Sequence, residues 1–322
     1  MDRRRVAGIV LVLVSACAFG SGGLFAQPVY DTGLGWQSLS AWRFGFGALC
    51  AWLWCLGFAE RRHGLRLLNR RTVGVAVLLG VLYTGNSGTY YAGLETVPVS
   101  LATLIVYIYP AVVAVLSLRY GRRLEGRRAW FALGLALVGV ALALGGIPAG
   151  ELPPISGLLL VIVSPLIYSV WIVLSARLAG ERRESVGEKV DGGADAAAAT
   201  ALMMTGTAAT YWLTGLATGV PLAPASIPAA AWPGLVGVGV VATFVAIQTF
   251  YAGTRRIGAA QAALVSTVEP FYTITLAALL FGETLAPAQI LGGALIIIGV
   301  LIAQAPVEAF SSIRPGVRLA DE

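Results

Sequence analysis

Ten apolar stretches of roughly helical length organise this sequence, near residues 6–26, 36–58, 72–92, 98–118, 129–147, 155–176, 196–218, 229–252, 257–281 and 287–305. A helix rising 1.5 Å per residue needs about 20 residues to cross ~30 Å of hydrocarbon. The stretches follow one another with no soluble domain left over, and the alternation of a barrel strand is missing from them. With 57% hydrophobic residues, 12% charged residues and a mean hydropathy of +0.81, the chain lacks the polar residues to coat a soluble surface. The expected fold class is an all-α membrane protein with ten transmembrane helices.

A net charge of +6 would suit a nucleic-acid partner, but the placement of the basic residues excludes that reading. Of 22 Lys and Arg, all but Arg43 fall outside the apolar stretches and on alternate connections. These are Arg3–Arg5, the loop from Arg61 to Arg71, the loop from Arg119 to Arg128, Arg177 to Lys189, Arg255 with Arg256, and Arg314 with Arg318. By the positive-inside rule those connections and both termini are cytoplasmic, which requires an even number of spans, and the protein is expected in the plasma (inner) membrane. Cys17, Cys50 and Cys55 all lie within spans and show no metal-binding spacing. Arg3–Arg5 followed by an apolar run and Cys17 has the outline of a lipoprotein signal, yet apolar residues continue through Phe25, so the run reads as the first span.

The chain also repeats itself. At an offset of 160, residues 90–110 align without a gap on residues 250–270, pairing Tyr91 with Tyr251, Gly93 with Gly253 and Pro110 with Pro270. Gly8–Ser15 pairs with Gly157–Ser164 at offset 149. The halves are expected at 1–150 and 151–306, with a polar cytoplasmic linker at 179–196 and a cytoplasmic tail at 307–322. Five spans per half is an odd number, so the second half enters the membrane inverted, giving two inverted-topology five-helix repeats.

Residues 264–303, LVSTVEPFYTITLAALLFGETLAPAQILGGALIIIGVLIA, closely resemble the signature of EamA-type transporters of the drug/metabolite transporter superfamily: a Glu-Pro at the ninth span, a Gly-Glu closing it, and a Gly-rich tenth span. Arg43-Phe44 in the second span also looks like that family. The first half departs from the pattern, with Tyr109-Pro110 opposite Glu269-Pro270 and Gly121-Arg122 where many relatives carry Gly-Glu. The resemblance implies ten helices around a central cavity and transport of a small metabolite, such as an amino acid or nucleoside, by alternating access.

Arg43 and Glu269 are the only formally charged residues inside the spans. A charge near the bilayer centre costs roughly 2.5–3.5 kcal/mol on insertion scales, so both should face the bundle interior or water. Glu269 lies twelve residues beyond Ile257, about 18 Å along a helix and near mid-membrane. It is a candidate for substrate contact or proton exchange, the competing reading being a structural ion pair with Arg43 or a hydrogen-bonded acid. Pro110 and Pro270 each strip a backbone donor, from the carbonyls of Val106 and Ser266, and are expected to kink their spans. Asn86, Tyr107, Tyr109, Trp171, Gln248, Ser266 and Tyr272 complete the candidate binding set, each weighed against plain interhelical hydrogen bonding. Trp36, Trp130, Trp212 and Trp232 read as interfacial anchors. Gly134, Gly139, Gly292, Gly293 and Gly299 read as close-packing positions, within the chain rather than across a homodimer, so a monomer and a homodimer both stay open. The lone His63 sits in a basic loop, and no metal-ligand cluster or phosphate loop is present, so neither cofactor nor metal is expected. A secondary transporter is the favoured reading over an intramembrane enzyme acting on a lipid-type substrate, because the spans hold a single carboxylate.

Overall fold

The computed structural model describes residues 3–66, 68–120, 126–145, 152–178, 196–257, 265–266 and 268–304. Among the described residues all regular structure is helical. The helices are α1 (Arg3–Tyr30), α2 (Trp36–Gly57), α3 (Ala59–Arg66), α4 (Arg70–Leu94), α5 (Val99–Val106), α6 (Tyr109–Tyr120), α7 (Gly126–Gly145), α8 (Ile155–Leu178) and α9 (Ala196–Thr218). After these come α10 (Trp232–Val236), a π-helical segment (Gly237–Val245), α11 (Ala246–Ile257), α12 (Val268–Phe281) and α13 (Pro287–Gln304). Among the described residues, four segments are long and apolar enough to cross a membrane: Val6–Tyr30, Trp36–Gly57, Ile155–Leu174 and Ala229–Phe250. Shorter apolar helices cover Val99–Val113, Trp130–Ala143, Val268–Phe281 and Pro287–Gly299. The protein is a helical membrane protein. The expected linker at 179–196, except Ala196 at the start of α9, and the tail at 307–322 lie outside the described residues, as do Gly121 to Arg123 and Thr267.

Large apolar side chains face outward along the helices, among them Leu53, Leu78, Phe131, Leu159, Leu213 and Leu279. In water such a surface would be a liability; against lipid it is the expected one. The interior is correspondingly built from small residues, because helices in hydrocarbon associate by close packing. A Cβ on Gly80 would lie 2.0 Å from the Met203 carbonyl, and one on Gly206 2.4 Å from that of Val77, so α4 and α9 meet backbone to backbone. The expected intramolecular role holds for Gly139 and Gly292, whose added Cβ atoms would sit 2.5 and 2.4 Å from each other's carbonyl oxygens across α7 and α13. Gly299 packs on Ala132 and Gly293 on Leu104, whereas Gly134 has nothing within 4 Å.

The pairing of elements exchanges the two halves. α1 packs against the π-helical segment and α11, and α8 packs against α4. α1 also packs against α12, as α8 does against α5 and α6, while α2 lies on α9 and α7 on α13.

Three expectations need correction. The fourth apolar stretch is two helices rather than one kinked helix: α5 ends at Val106, Tyr107 and Ile108 form a turn, and α6 starts at Tyr109. Pro110 removes the N–H that would hold the Val106 carbonyl, and the residue before a proline disfavours helical geometry, so the chain breaks just upstream. Glu269 and Pro270 stand in the first turn of α12, not in mid-helix. Trp212 and Trp232 are also more than anchors: both rings pack edge-on against Trp42, at 5.3 and 4.8 Å, and Trp212 Nε1 donates to the Ala41 carbonyl at 3.0 Å.

Candidate functional site

Arg43 is carried into the interior by α2 and is only 4% exposed. Its Nε donates to Thr243 Oγ1 at 2.6 Å, and its Nη1 reaches Ser87 Oγ at 3.5 Å. The guanidinium lies over the rings of Phe44 at 4.8 Å and Tyr91 at 4.5 Å. All four partners are neutral, so hydroxyl dipoles and the negative faces of two rings hold the charge. The expected alternative of an ion pair with Glu269 is not among these contacts.

The acceptor Thr243 is placed by an irregularity of the backbone. Its Oγ1 donates to the Val238 carbonyl five residues back, at 2.9 Å, within the π-helical segment. Gly239 allows α2 to come close, since a Cβ there would lie 2.9 Å from the Arg43 carbonyl. π-helical turns concentrate at functional positions because they turn side chains off the regular register.

From Phe44 a continuous run of aromatic rings crosses the bundle. Phe44 meets Tyr83 at 5.9 Å, Tyr83 meets Trp171 at 5.0 Å and Tyr168 at 6.2 Å, Tyr168 meets Tyr109 at 5.0 Å, and Tyr109 meets Tyr107 at 5.7 Å. The run joins α2, α4, α8, α6 and the break after α5. Trp171 Nε1 is tied to the Leu79 carbonyl at 3.0 Å, fixing its ring. Asn86 and Ser164 exchange hydrogen bonds between α4 and α8, with Asn86 Nδ2 donating to the Ser164 hydroxyl at 2.9 Å and that hydroxyl donating to the Asn86 carbonyl at 3.1 Å. Asn86 thereby ties α4 to α8.

At the far end of the run Tyr107 donates its hydroxyl to the Ser266 carbonyl. That is the carbonyl which Pro270 would leave without a helical donor. Two residues singled out separately in the sequence thus satisfy each other across the halves. Glu269, half-buried, has its Cγ 3.4 Å from a Cβ placed on Gly20, so it faces α1. Next to it, Thr273 Oγ1 donates to the Gly20 carbonyl at 3.1 Å and Tyr272 shares a 2.9 Å hydrogen bond with Ser21. The carboxylate lies within electrostatic range of Cys17, Tyr107 and Tyr109, and Tyr83, Tyr90 and Tyr91 feel both Glu269 and Arg43. Those three tyrosines lie within electrostatic range of both membrane-embedded charges.

Gln248 takes no part in the run; its Nε2 is buried with no hydrogen-bond partner among the described residues. Pro110 lies at the start of α6, just after the backbone break. Two cavities border the cluster. One of about 390 Å³ lies between α1, the π-helical segment and α12, against Cys17, Ser21, Val241 and Tyr272. Another of about 290 Å³ lies at the Trp36 end of α2, against Thr84 and Tyr211. Neither is lined by Arg43 or Glu269. Thr243 and Ser164 belong to the site but were not picked out in the sequence, and Phe44 and Tyr91 were noted there only for the family resemblance and the repeat; a threonine in the Gly-rich apolar run 237–245 was the available signal for the first. No group of three or more His, Cys, Asp or Glu capable of holding a metal occurs among the described residues.

Comparison with known proteins gives a consistent result. The sequence profile described as the EamA-like transporter family matches twice, over residues 6–145 and 155–304. A protein of Archaeoglobus fulgidus described as an uncharacterized transporter is 28% identical over 299 residues, 92% of this chain and 96% of that protein. The uncharacterized transporter YcbK of Bacillus subtilis is 27% identical over 205 residues, 63% of this chain and 62% of that protein. A crystal structure whose description names no activity shares the fold, with a TM-score of 0.63 at 20% sequence identity, covering 93% of this chain and 97% of its own.

Proposed function

This chain belongs to the EamA-like transporter family, in two copies of the family domain, and we propose that it is a secondary transporter that moves a small organic metabolite across the plasma membrane by alternating access. The carrying observation is the aromatic run between Arg43 and Glu269. It combines mostly apolar walls with a few placed polar groups, as small-molecule sites do, and it lies where elements of both halves meet. A Tyr- and Trp-rich lining with one cation and one carboxylate suits a planar or zwitterionic metabolite such as an amino acid or a nucleoside.

The two halves are read as inverted repeats of five spans, 1–150 and 151–306, with both termini cytoplasmic. The exchange of packing partners supports this, since α1 on the π-helical segment and α11 mirrors α8 on α4. An odd number of spans per half makes the relation an inversion. Rocking one half against the other would expose the aromatic run to alternate sides. The chemistry within the spans favours transport over an enzyme acting on lipids, because Glu269 has no second membrane-embedded acid to work with.

Purified protein heated in the presence of amino acids, nucleosides and organic cations tests the reading. A ligand that binds only the folded state stabilises it by about 2.7 kcal/mol at a hundredfold excess over Kd. One class should raise the melting temperature and also be taken up by proteoliposomes. Turnover of a lipid with no stabilisation by any of the three classes would overturn the proposal.

A further inference from the structure

α5 is eight residues long and is buried at every position from Val99 to Ile105. A helix this short, with its first N–H groups inside the protein, needs acceptors at its start. Pro98 at the cap position supplies no side-chain acceptor. The acceptors come instead from the other half of the chain: Glu283 Oε1 accepts from the Val99 N–H at 3.1 Å and Oε2 from the Ser100 N–H at 2.9 Å. A carboxylate at a helix N-terminus also gains from the helix dipole. Glu283 is aimed there by Gly282, whose φ of +68° turns the chain sharply at the end of α12.

The opposite end of α5 is tied to the same partner, through the Tyr107 hydroxyl on the Ser266 carbonyl. Between these ties Leu101, Ala102 and Ile105 share one apolar cluster with Ala277 of α12. Glu95 offers a contrast. It accepts from the Trp36 N–H at 2.7 Å and so caps α2, but both residues belong to the first half, and that bond fastens nothing between halves. The Glu283 bonds lie at the end of the bundle remote from Arg61–Arg70, since α4 runs from Arg70 to Leu94 and α5 begins just beyond it.

We infer that Glu283 is a latch: its carboxylate, seated on the N-terminus of α5, holds the seam between α5 and α12 shut at the end of the bundle away from the arginine loops, and opening of that end requires its release. The inference rests on the transport reading for its purpose. Chemically, the contact is suited to reversal. Gly282 and Thr284 are exposed and Glu283 is half-buried, so carboxylate and N–H groups can exchange each other for water when the seam parts. The apolar contacts deeper in the seam have no such exchange partner in water.

The test uses cysteine accessibility in membranes and needs no substrate, so it stands even if no transported compound is found. In a background with Cys17, Cys50 and Cys55 replaced by Ala, Ala277→Cys reports on the seam, and Ala41→Cys, equally buried but on α2, reports on general loosening. Glu283→Gln keeps the size of the side chain but replaces one acceptor oxygen by an NH2 group. Loss of one such bond should raise labelling of Ala277→Cys by an impermeant maleimide about tenfold, with Ala41→Cys unchanged. Val99→Pro removes one donor from the other side, at a helix start that tolerates proline and after a Pro98 already at φ −54° and ψ 142°, and should act in the same direction. Unchanged labelling at Ala277→Cys in both variants overturns the latch. So does an equal rise at Ala41→Cys, or loss of folded protein in both variants, either of which makes Glu283 a staple of the fold.

Discussion

A cation buried in a membrane protein normally finds a carboxylate; Arg43 finds two hydroxyls and two rings instead. These contacts make a prediction about coupling. Arg43→Ala should destabilise the protein by roughly 3 kcal/mol, the scale of hydrogen bonds to a charged group plus desolvated cation–π contact. If Arg43 and Glu269 were an ion pair, removing both would restore part of what each single change loses. Without such a bond, the effects of Arg43→Ala and Glu269→Ala on the melting temperature should add. Glu269→Gln separates chemistry from packing, since it keeps volume and hydrogen bonding but removes titration. The expected outcome is uptake that no longer varies with pH, at nearly unchanged folded yield. A pH profile identical to that of the parent would remove Glu269 from the coupling role. That both charges matter was legible in the sequence, because charge inside an apolar span is costly. What surrounds Arg43 was not, since Thr243 lies 200 positions away and is brought to it only by packing.

At the scale of elements, glycine does opposite things at two places on one helix. Gly139 in α7 faces α13 so closely that any Cβ would strike the Gly292 backbone, while Gly134 has open space. Gly139→Ala should therefore lower the melting temperature, by the 1–3 kcal/mol or so that overpacking costs, and Gly134→Ala should leave it unchanged or raise it slightly through the better helix propensity of alanine. Equal effects at both sites would mean that helix propensity, rather than contact with α13, decides. The sequence identified both as close-packing glycines. Which one meets a backbone depends on rotation about the helix axis, and small-residue composition carries no information on that. The break after α5 is similar: Pro110 announces a disturbance, but whether a span bends or divides depends on whether partners take up the freed groups.

For the whole molecule, the prediction concerns which ends face the cytoplasm. In intact cells with the native cysteines removed, Asp31→Cys should react with an impermeant thiol reagent and Arg66→Cys should be protected. Reaction at Arg66→Cys from outside would invert the assignment. The two residues sit at opposite ends of the bundle, since α2 connects the Trp36 end to α3, which ends at Arg66.

By itself the sequence determined the solvent of the fold, the repeat and the family signature, because these depend on composition, length and spacing along the chain. Ten apolar stretches admit lipid and little else, and a shift of 160 residues lays one half on the other. It also determined the two charges that any account of the site must explain. Only the tertiary structure decided what those charges touch, that an aromatic run from Phe44 to Tyr107 crosses the bundle, and that Glu283 of one half caps a helix of the other. The physical reason is that the decisive contacts join residues distant in the chain, 200 positions for Arg43 with Thr243 and 184 for Val99 with Glu283, through the rotation and depth of packed helices. In lipid the apolar pattern that reveals each helix is nearly the same on every side, so it records that a helix exists without recording which face meets which neighbour.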